Sequence, residues 1–133
     1  MLVIFFGKVS TIDLEEHVTR VLRPEYNQPG KMSLVVLTED ISTSEISYSG
    51  LVQAGKRMHK AEYRNGGKLA IITHSTVDFG LAKIYQMVSE VAGLDETHVL
   101  RGNQLDTAIE WLGLMSESDE IKSIINQVSA DDG

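Results

Sequence analysis

Short continuous apolar runs alternate along this chain with stretches whose apolar residues recur every three to four positions. The clearest example is the run from Lys68 to Thr73, which is bounded by two glycines on one side and by polar residues on the other. A continuous run of this length is typical of a strand buried on both faces. Directly after it, helical spacing predicts an amphipathic helix that closes at Gly93. Its apolar stripe consists of Val77, Leu81, Ile84, Tyr85, Val88, Val91 and Ala92.

The same alternation continues on both sides of this strand and helix. Further strands are predicted at Leu2 to about Val9, Leu34 to Thr38, and Thr97 to Arg101. Helices are predicted from Ser10 to Leu22, from Ser44 to Arg64, from an N-cap at Asn103 to Leu112, and from a cap at Ser116 to Val128. Four strands that alternate with helices predict an α/β fold, with a mostly parallel sheet covered by helices.

The length and composition favour one domain with one sizeable core, since the chain has 133 residues of which 42% are hydrophobic. Residues 1–113 are expected to form this domain. Residues 114–129 add a C-terminal amphipathic helix, and residues 130–133 are expected to be a disordered tail. The narrow apolar seam of this helix consists of Ile121, Ile124, Ile125 and Val128. It suits packing on the domain or on a second subunit.

Charge and composition exclude several classes of function. A net charge of −7 opposes binding to the phosphate backbone of nucleic acid. The absence of cysteine excludes disulfides and thiol chemistry and is compatible with a cytoplasmic location. We expect no signal peptide and no transmembrane segment, because the apolar runs are short and lack the usual flanks. Peripheral contact with a membrane stays open.

Polar residues cluster where the predicted strands end, which is where ligands commonly bind in parallel α/β sheets. The candidates for a ligand crevice are Thr38, Glu39, Asp40, Thr73, His74, Ser75, Arg101 and Asn103. Arg101 would pair with a carboxylate or phosphate of the ligand. The alternative is that these side chains only cap the helices that follow, because such loops favour Ser, Thr, Asp and Asn for that reason.

Catalytic and cofactor chemistry finds little support in the sequence. The four histidines lack the spacing that would place two imidazoles on one metal ion, so no metal site is predicted. Neither of the glycine-rich loops that bind nucleotide phosphates occurs, and no cofactor is expected. A catalytic role would rest only on His74 beside Glu39 and Asp40. We therefore assign no catalytic residue.

Two segments carry a resemblance to a known family. The first contains Ser47-Tyr48-Ser49-Gly50-Leu51 at the start of a helix, followed later by Gly66-Gly67 and a strand. The second runs from Thr73-His74-Ser75 through Phe79 to Gln86 and on to Ala108-Ile109-Glu110-Trp111-Leu112. Together they resemble the STAS family, the sulfate-transporter and anti-sigma-factor-antagonist domains, and in particular its SpoIIAA-like branch. The resemblance covers about Leu2 to Leu112 and implies a SpoIIAA/STAS-like fold with an extra C-terminal helix.

This resemblance implies a regulatory module without enzymatic activity. In the antagonists, a serine before the glycine is phosphorylated and switches binding to a protein partner. Carried over, the phosphoacceptor is Ser49, with Ser47 as the neighbouring candidate, although the chain has Ser47 and Tyr48 where the family has aspartate and serine. Candidates for the partner surface are Tyr48, Phe79, Lys83 and Met87. The alternative function is a carrier of a small apolar, lipid-type or acidic ligand.

The first predicted strand is expected to have an exposed edge, because the chain lacks the N-terminal strand that commonly pairs with it in the family. Unpaired edges invite pairing with another chain, so something should cover this strand. The C-terminal helix could fold back over it or dock on a second copy. We therefore expect a homodimer.

Overall fold

A computed structural model describes residues 1–58, 66–90 and 96–132. Its strands are β1 (Leu2–Phe5), β2 (Lys8–Ser10), β3 (Met32–Leu37), β4 (Ser42–Glu45), β5 (Lys68–Thr73) and β6 (Glu96–Arg101). Its helices are α1 (Thr11–Val21), α2 (Tyr48–Arg57), α3 (Thr76–Glu90), α4 (Leu105–Trp111) and α5 (Ser118–Asp132). The predicted end of the second helix and the predicted stop at Gly93 lie outside the described residues.

The main sheet has four parallel strands in the order β1-β3-β5-β6, which is also their order along the chain. Leu34 at its centre lies between Leu2 of β1 and Ala70 of β5. The continuous apolar runs of β3 and β5 are explained by this central position, because helices cover both faces of these strands. The predicted α/β fold with a parallel, helix-covered sheet is confirmed.

Alternate residues of each strand face two different helical layers. On one face, Leu34, Val36, Ala70 and Ile72 pack against α4 and α5. On the other face, Val35 and Ile71 pack against α3, and α1 and α2 continue the same layer. The helices α1, α2 and α3 therefore cover one side of the sheet, while α4 and α5 cover the other.

The N-terminal strand is two strands rather than the single strand predicted from Leu2 to Val9. It breaks at Gly7, whose φ of 63° lies in the left-handed region that glycine adopts readily. After the break, β2 pairs in parallel with β4 in a separate two-stranded sheet. No strand is predicted here, because Ser42 and Thr43 lie between a predicted strand and a predicted helix, and Ser44 and Glu45 lie at the start of that predicted helix. The β1–β3 pair thus continues beyond the main sheet as the β2–β4 pair.

The two helices that follow β4 and β5 begin differently from the prediction. α2 begins after Ser47, whose side chain accepts a hydrogen bond of 3.0 Å from the Gly50 backbone N–H, so the helix starts at Tyr48 and not at Ser44. In α3, Val77 is 69% exposed and does not belong to the core stripe. Asp78 turns inward instead, where its carboxylate accepts a hydrogen bond of 2.8 Å from the buried Thr43 hydroxyl.

The C-terminal part of the chain folds back on its own sheet. Ile121 is buried and Ile125 packs in the same cluster as Leu2 and Ile4 of β1. Of the two arrangements expected for this helix, the structure therefore has the intramolecular one. α5 extends to Asp132 and so takes in three of the four residues predicted to be a disordered tail. None of the described helices has the length and hydrophobicity needed to traverse a lipid bilayer.

Short 3-10 turns occupy two predicted helix starts in this region. Residues Gly102–Gln104 form one such turn and Met115–Glu117 form the other. Asn103 and Ser116 lie within these turns, so neither caps a helix as predicted. The Gln104 side chain instead accepts a hydrogen bond of 3.0 Å from the Arg101 backbone N–H.

Candidate functional site

The carboxyl ends of β3, β5 and β6 lie side by side, as the sequence predicts for parallel strands, but they carry mostly structural side chains. Thr38 and Thr73 are buried at 2% and 0% exposure. The Thr38 hydroxyl donates to Asp40 Oδ1 at 2.8 Å, and the Thr73 hydroxyl donates to the Leu100 carbonyl at 3.1 Å. Ser75 accepts a hydrogen bond from the Asp78 backbone N–H at 3.0 Å and so caps α3. The capping alternative is correct for Ser75.

Two exposed residues of the predicted crevice, His74 and Glu39, form one weak contact. Nδ1 of His74 lies 3.8 Å from a carboxylate oxygen of Glu39, whose side chain is 85% exposed. The His74 ring also packs against Gly102, where a Cβ atom would overlap the imidazole. The distance of 3.8 Å between His74 and Glu39 is too long for a hydrogen bond between the two side chains. Asn103 is exposed and lies in the adjoining turn.

The order of the described strands places no topological switch point at these ends. In doubly wound sheets, the ligand crevice opens where the strand order reverses and consecutive helices diverge to opposite faces. Here β1, β3, β5 and β6 follow one another in chain order without a reversal. Their connecting helices all lie on one face, so the loops at the strand ends are not drawn apart.

A cavity of about 90 Å³ lies instead between the sheet and the α1–α2–α3 layer. Its floor is formed by side chains of the main sheet, including Val35 and Ile71, and its roof by residues of the three helices, including Leu14, Leu51 and Ala82. One end is closed by the β2–β4 pair. The described residues that line it are Phe5, Val9, Leu14, His17, Val35, Leu37, Ile41, Thr43, Ile46, Leu51, Leu69, Ile71, Leu81, Ala82 and Tyr85.

A second, smaller cavity of about 30 Å³ adjoins the first. The two share a wall formed by His17, Val35, Leu69 and Tyr85. The smaller cavity continues from this wall toward Met1 and Met58. The two spaces therefore form a row beneath the helical layer, and we call this row the apolar channel.

Four polar side chains, those of His17, Ser33, Thr43 and Tyr85, line the apolar channel. The imidazole of His17 meets the Phe5 ring edge to face, with centroids 5.2 Å apart. Thr43 is held by its hydrogen bond to Asp78. The rest of the described lining is apolar, so the channel suits an apolar group much better than a charged one.

Sequence reasoning overlooked this site, although one signal was present. His17 lies between Leu14 and Val18 on the stripe that faces the core, at the i, i+3, i+4 spacing of one helix face. That position places its ring inside the molecule. By contrast, no local pattern marks Thr43 or Ile46, because the short polar strand β4 exists only through its pairing with β2.

The segment Ser47 to Leu51 divides into structural and exposed positions. Ser47 caps α2, Leu51 is buried, and Gly50 approaches α1 so closely that a Cβ atom there would overlap the Thr11 methyl group. Tyr48 and Ser49 are exposed, with Tyr48 at 66%. Ser49 is the second residue of α2, so the structure places this candidate phosphoacceptor at an accessible helix start.

The other three candidates for a partner surface lie on α3. Lys83 and Met87 are exposed, Met87 at 62%, and Phe79 is partly buried. Arg101, predicted as a member of the ligand crevice, lies over the Phe79 ring instead. The Arg101 side chain therefore contacts α3 beside the carboxyl end of β6.

In the part of the chain that the structure describes, histidine, aspartate and glutamate side chains nowhere gather in threes at distances that would suit a metal ion. Comparison with protein-family models, with curated proteins and with solved structures found no match to this chain.

Proposed function

We propose that the protein binds a small apolar ligand in the apolar channel between its sheet and the α1–α2–α3 layer. The observation that carries this proposal is the channel itself, a space between the sheet and the helical layer that is lined mainly by apolar side chains. Protein interiors leave few voids larger than a water molecule, because each one forfeits contacts between its lining atoms. A bound apolar group would restore such contacts with the residues that line the space of about 90 Å³.

The dimensions limit the ligand to a narrow group. Sites for drug-sized ligands have volumes of about 300 to 1,000 Å³, well above that of the main cavity. The smaller cavity extends the space in one direction beyond the shared wall of His17, Val35, Leu69 and Tyr85. A short hydrocarbon chain or the apolar end of a larger molecule fits this row better than a broad ring system does.

Native mass spectrometry of the protein purified from its own host tests the proposal. We expect a mass above that of the polypeptide that disappears on denaturation, because apolar contacts hold the ligand without a covalent bond. The wild-type protein should carry this mass and Ala82→Leu should not, since the added atoms would occupy the channel. A wild-type protein that carries only the bare polypeptide mass would contradict ligand carriage.

A matched variant on the other face of the sheet controls for general damage to the core. Ala108 is fully buried in the cluster beneath α4 and lines neither of the two cavities. Ala108→Leu should lower the free energy of unfolding by about 1 to 3 kcal/mol through overpacking. Ala82→Leu should cost less than about 1.5 kcal/mol, because space already exists beside it.

A regulatory, partner-binding function is a second proposal, and the exposure of Ser49 favours it. The structure accounts for Ser47, Gly50 and Leu51 through capping and packing but gives the exposed Ser49 side chain no structural contact among the described residues. A phosphate at the second residue of α2 would lie near the positive end of the helix dipole. Phosphorylation there would add charge to the surface while leaving the core unchanged.

The same host preparation tests this second function through the denatured mass. A phosphoryl group that persists on denaturation and maps to Ser49 supports it, and Ser49→Ala should then abolish the modification. Ser47→Ala is the matched control: we expect it to cost about 1 kcal/mol of stability through the lost cap, against less than about 0.5 kcal/mol for Ser49→Ala. A Ser49 peptide that is entirely unmodified would contradict the switch.

A further inference from the structure

Two cations and one aromatic ring from separate elements meet on the surface beside the carboxyl end of β6. The Arg101 guanidinium carbon lies 4.5 Å from the centroid of the Phe79 ring, and Lys83 Nζ lies 5.6 Å from the same centroid. Arg101 ends β6, whereas Phe79 and Lys83 lie one turn apart on α3. Both cations are exposed and the ring is partly buried. We call this group the Arg101 cluster.

Among the residues that the structure describes, the two cations of the Arg101 cluster lack the acidic partners that Lys8 and Lys122 have. Lys8 pairs with Glu45 and Lys122 pairs with Asp106. Within the described ranges, neither Arg101 nor Lys83 has a carboxylate oxygen within 4.0 Å. The chain has 19 acidic and 12 basic residues, so acidic groups are not scarce. An anion that approached both cations would therefore reduce their mutual repulsion.

Stacking on Phe79 prepares the guanidinium for an anion. A guanidinium that lies over an aromatic face keeps its in-plane N–H groups available for two parallel hydrogen bonds to a carboxylate. The hydrogen bond from the Arg101 backbone N–H to Gln104 fixes the main chain behind the side chain. Lys83 adds a second positive charge, with its Nζ 5.6 Å from the centroid of the same ring.

An exposed apolar residue continues the surface on α3. Phe79, Lys83 and Met87 follow one another at intervals of four residues, so they lie along one side of the helix. The Met87 side chain is 62% exposed, and methionine adapts its shape to varied apolar partners. The surface thus presents two cations next to one flexible apolar contact.

We propose that the Arg101 cluster and Met87 bind an acidic peptide segment of a partner protein, with carboxylates on Arg101 and Lys83 and an apolar side chain on Met87. Charge complementarity favours this occupant over an anionic membrane. Recognition of acidic lipid surfaces typically uses clusters of about four to eight basic residues, whereas this cluster has two in a chain with a net charge of −7. The proposal does not depend on the apolar channel.

Titration of the full ¹⁵N-labelled chain with an acetylated peptide of alternating glutamate and leucine residues tests this surface. We expect saturable amide shifts at Phe79, Lys83, Met87 and Arg101. Arg101→Gln or Lys83→Gln should each weaken binding about tenfold or more, the effect of losing one charge-assisted hydrogen bond. Arg101→Lys should restore binding only in part, because the ammonium cannot form the bidentate pair.

Matched controls separate this surface from general electrostatics and from the proposed ligand function. Arg20→Gln removes an exposed cation from α1 and should leave the affinity unchanged. The Ala82→Leu variant should bind the peptide like the wild type, whatever its effect on ligand carriage. Equal affinity for a peptide with glutamine in place of glutamate would overturn the proposal. Arg101-dependent binding to phosphatidylserine vesicles without binding to the acidic peptide would also overturn it, in favour of a membrane.

Discussion

The imidazole of His74 packs so closely against Gly102 that a Cβ atom at residue 102 would overlap the ring. We expect Gly102→Ala to lower the free energy of unfolding by about 1 to 3 kcal/mol, measured by urea denaturation, because the ring or the backbone must move. In a His74→Ala background the same change should cost much less, since the obstructing ring is gone. Equal costs in the two backgrounds would show that the contact is unimportant.

The glycine-to-alanine substitution at Gly80 is expected to raise the free energy of unfolding, the opposite of its effect at Gly102. It lies within α3, is exposed, and has open space where a Cβ atom would be. Gly80→Ala should therefore raise the free energy of unfolding by about 0.5 to 1 kcal/mol through the higher helix propensity of alanine. A loss of stability would mean that α3 is strained in a way that the structure does not show.

At the residue scale, the role of a side chain can be predicted when it depends on residues nearby in the sequence. The core positions Leu51 and Ala54 follow from helical spacing, and both are buried. Gly102 and Arg101 are different, because their contacts are with His74 and Phe79, which come from other elements. No local pattern reports such contacts between elements, so Arg101 was expected in the crevice.

At the element scale, α5 provides a direct test of how the C-terminal helix packs. Ile121 is buried against the sheet, whereas Ile124 on the same helix is 38% exposed. Ile121→Ala should cost about 2 to 4 kcal/mol in urea denaturation, and Ile124→Ala should cost much less. The reverse order would mean that the outward side of α5 is the packed one, as in docking on a second subunit.

Elements with continuous or strongly periodic apolar residues could be predicted from the sequence, and short polar ones could not. The strand at Lys68–Thr73 has the bounds that its apolar run indicates. The strand Ser42–Glu45 has the sequence Ser-Thr-Ser-Glu, which reads as a loop. Its strand conformation comes from pairing with β2. β2 is a separate strand only because the predicted first strand breaks at Gly7.

At the scale of the whole molecule, the exposed edge of β1 is the feature that supports the predicted homodimer. The strand lies at an edge of the main sheet, and α5 packs on one face of that sheet within the same chain. Because an edge strand can pair with its copy, we expect a dimer in light scattering at micromolar concentrations. A single monomeric mass across that range would contradict the expectation.

The apolar channel also belongs to this scale, since no single element contains it. It arises because α1, α2 and α3 lie together on one face of a sheet whose strands follow in chain order. The sequence indicates each element but not the strand order, and so it could not place a cavity among them. For the same reason, the ligand was expected at the strand ends.

Binding of a slender apolar probe, followed by methyl NMR, tests the central claim most directly. Titration with octan-1-ol should produce saturable shifts in the methyl groups that line the channel, such as those of Leu14, Leu51 and Leu81. The methyl groups of Ile109 and Leu34 on the opposite face should be unchanged, and Ala82→Leu should abolish the effect. Shifts spread over both faces of the sheet, or retained in Ala82→Leu, would contradict a ligand site in the channel.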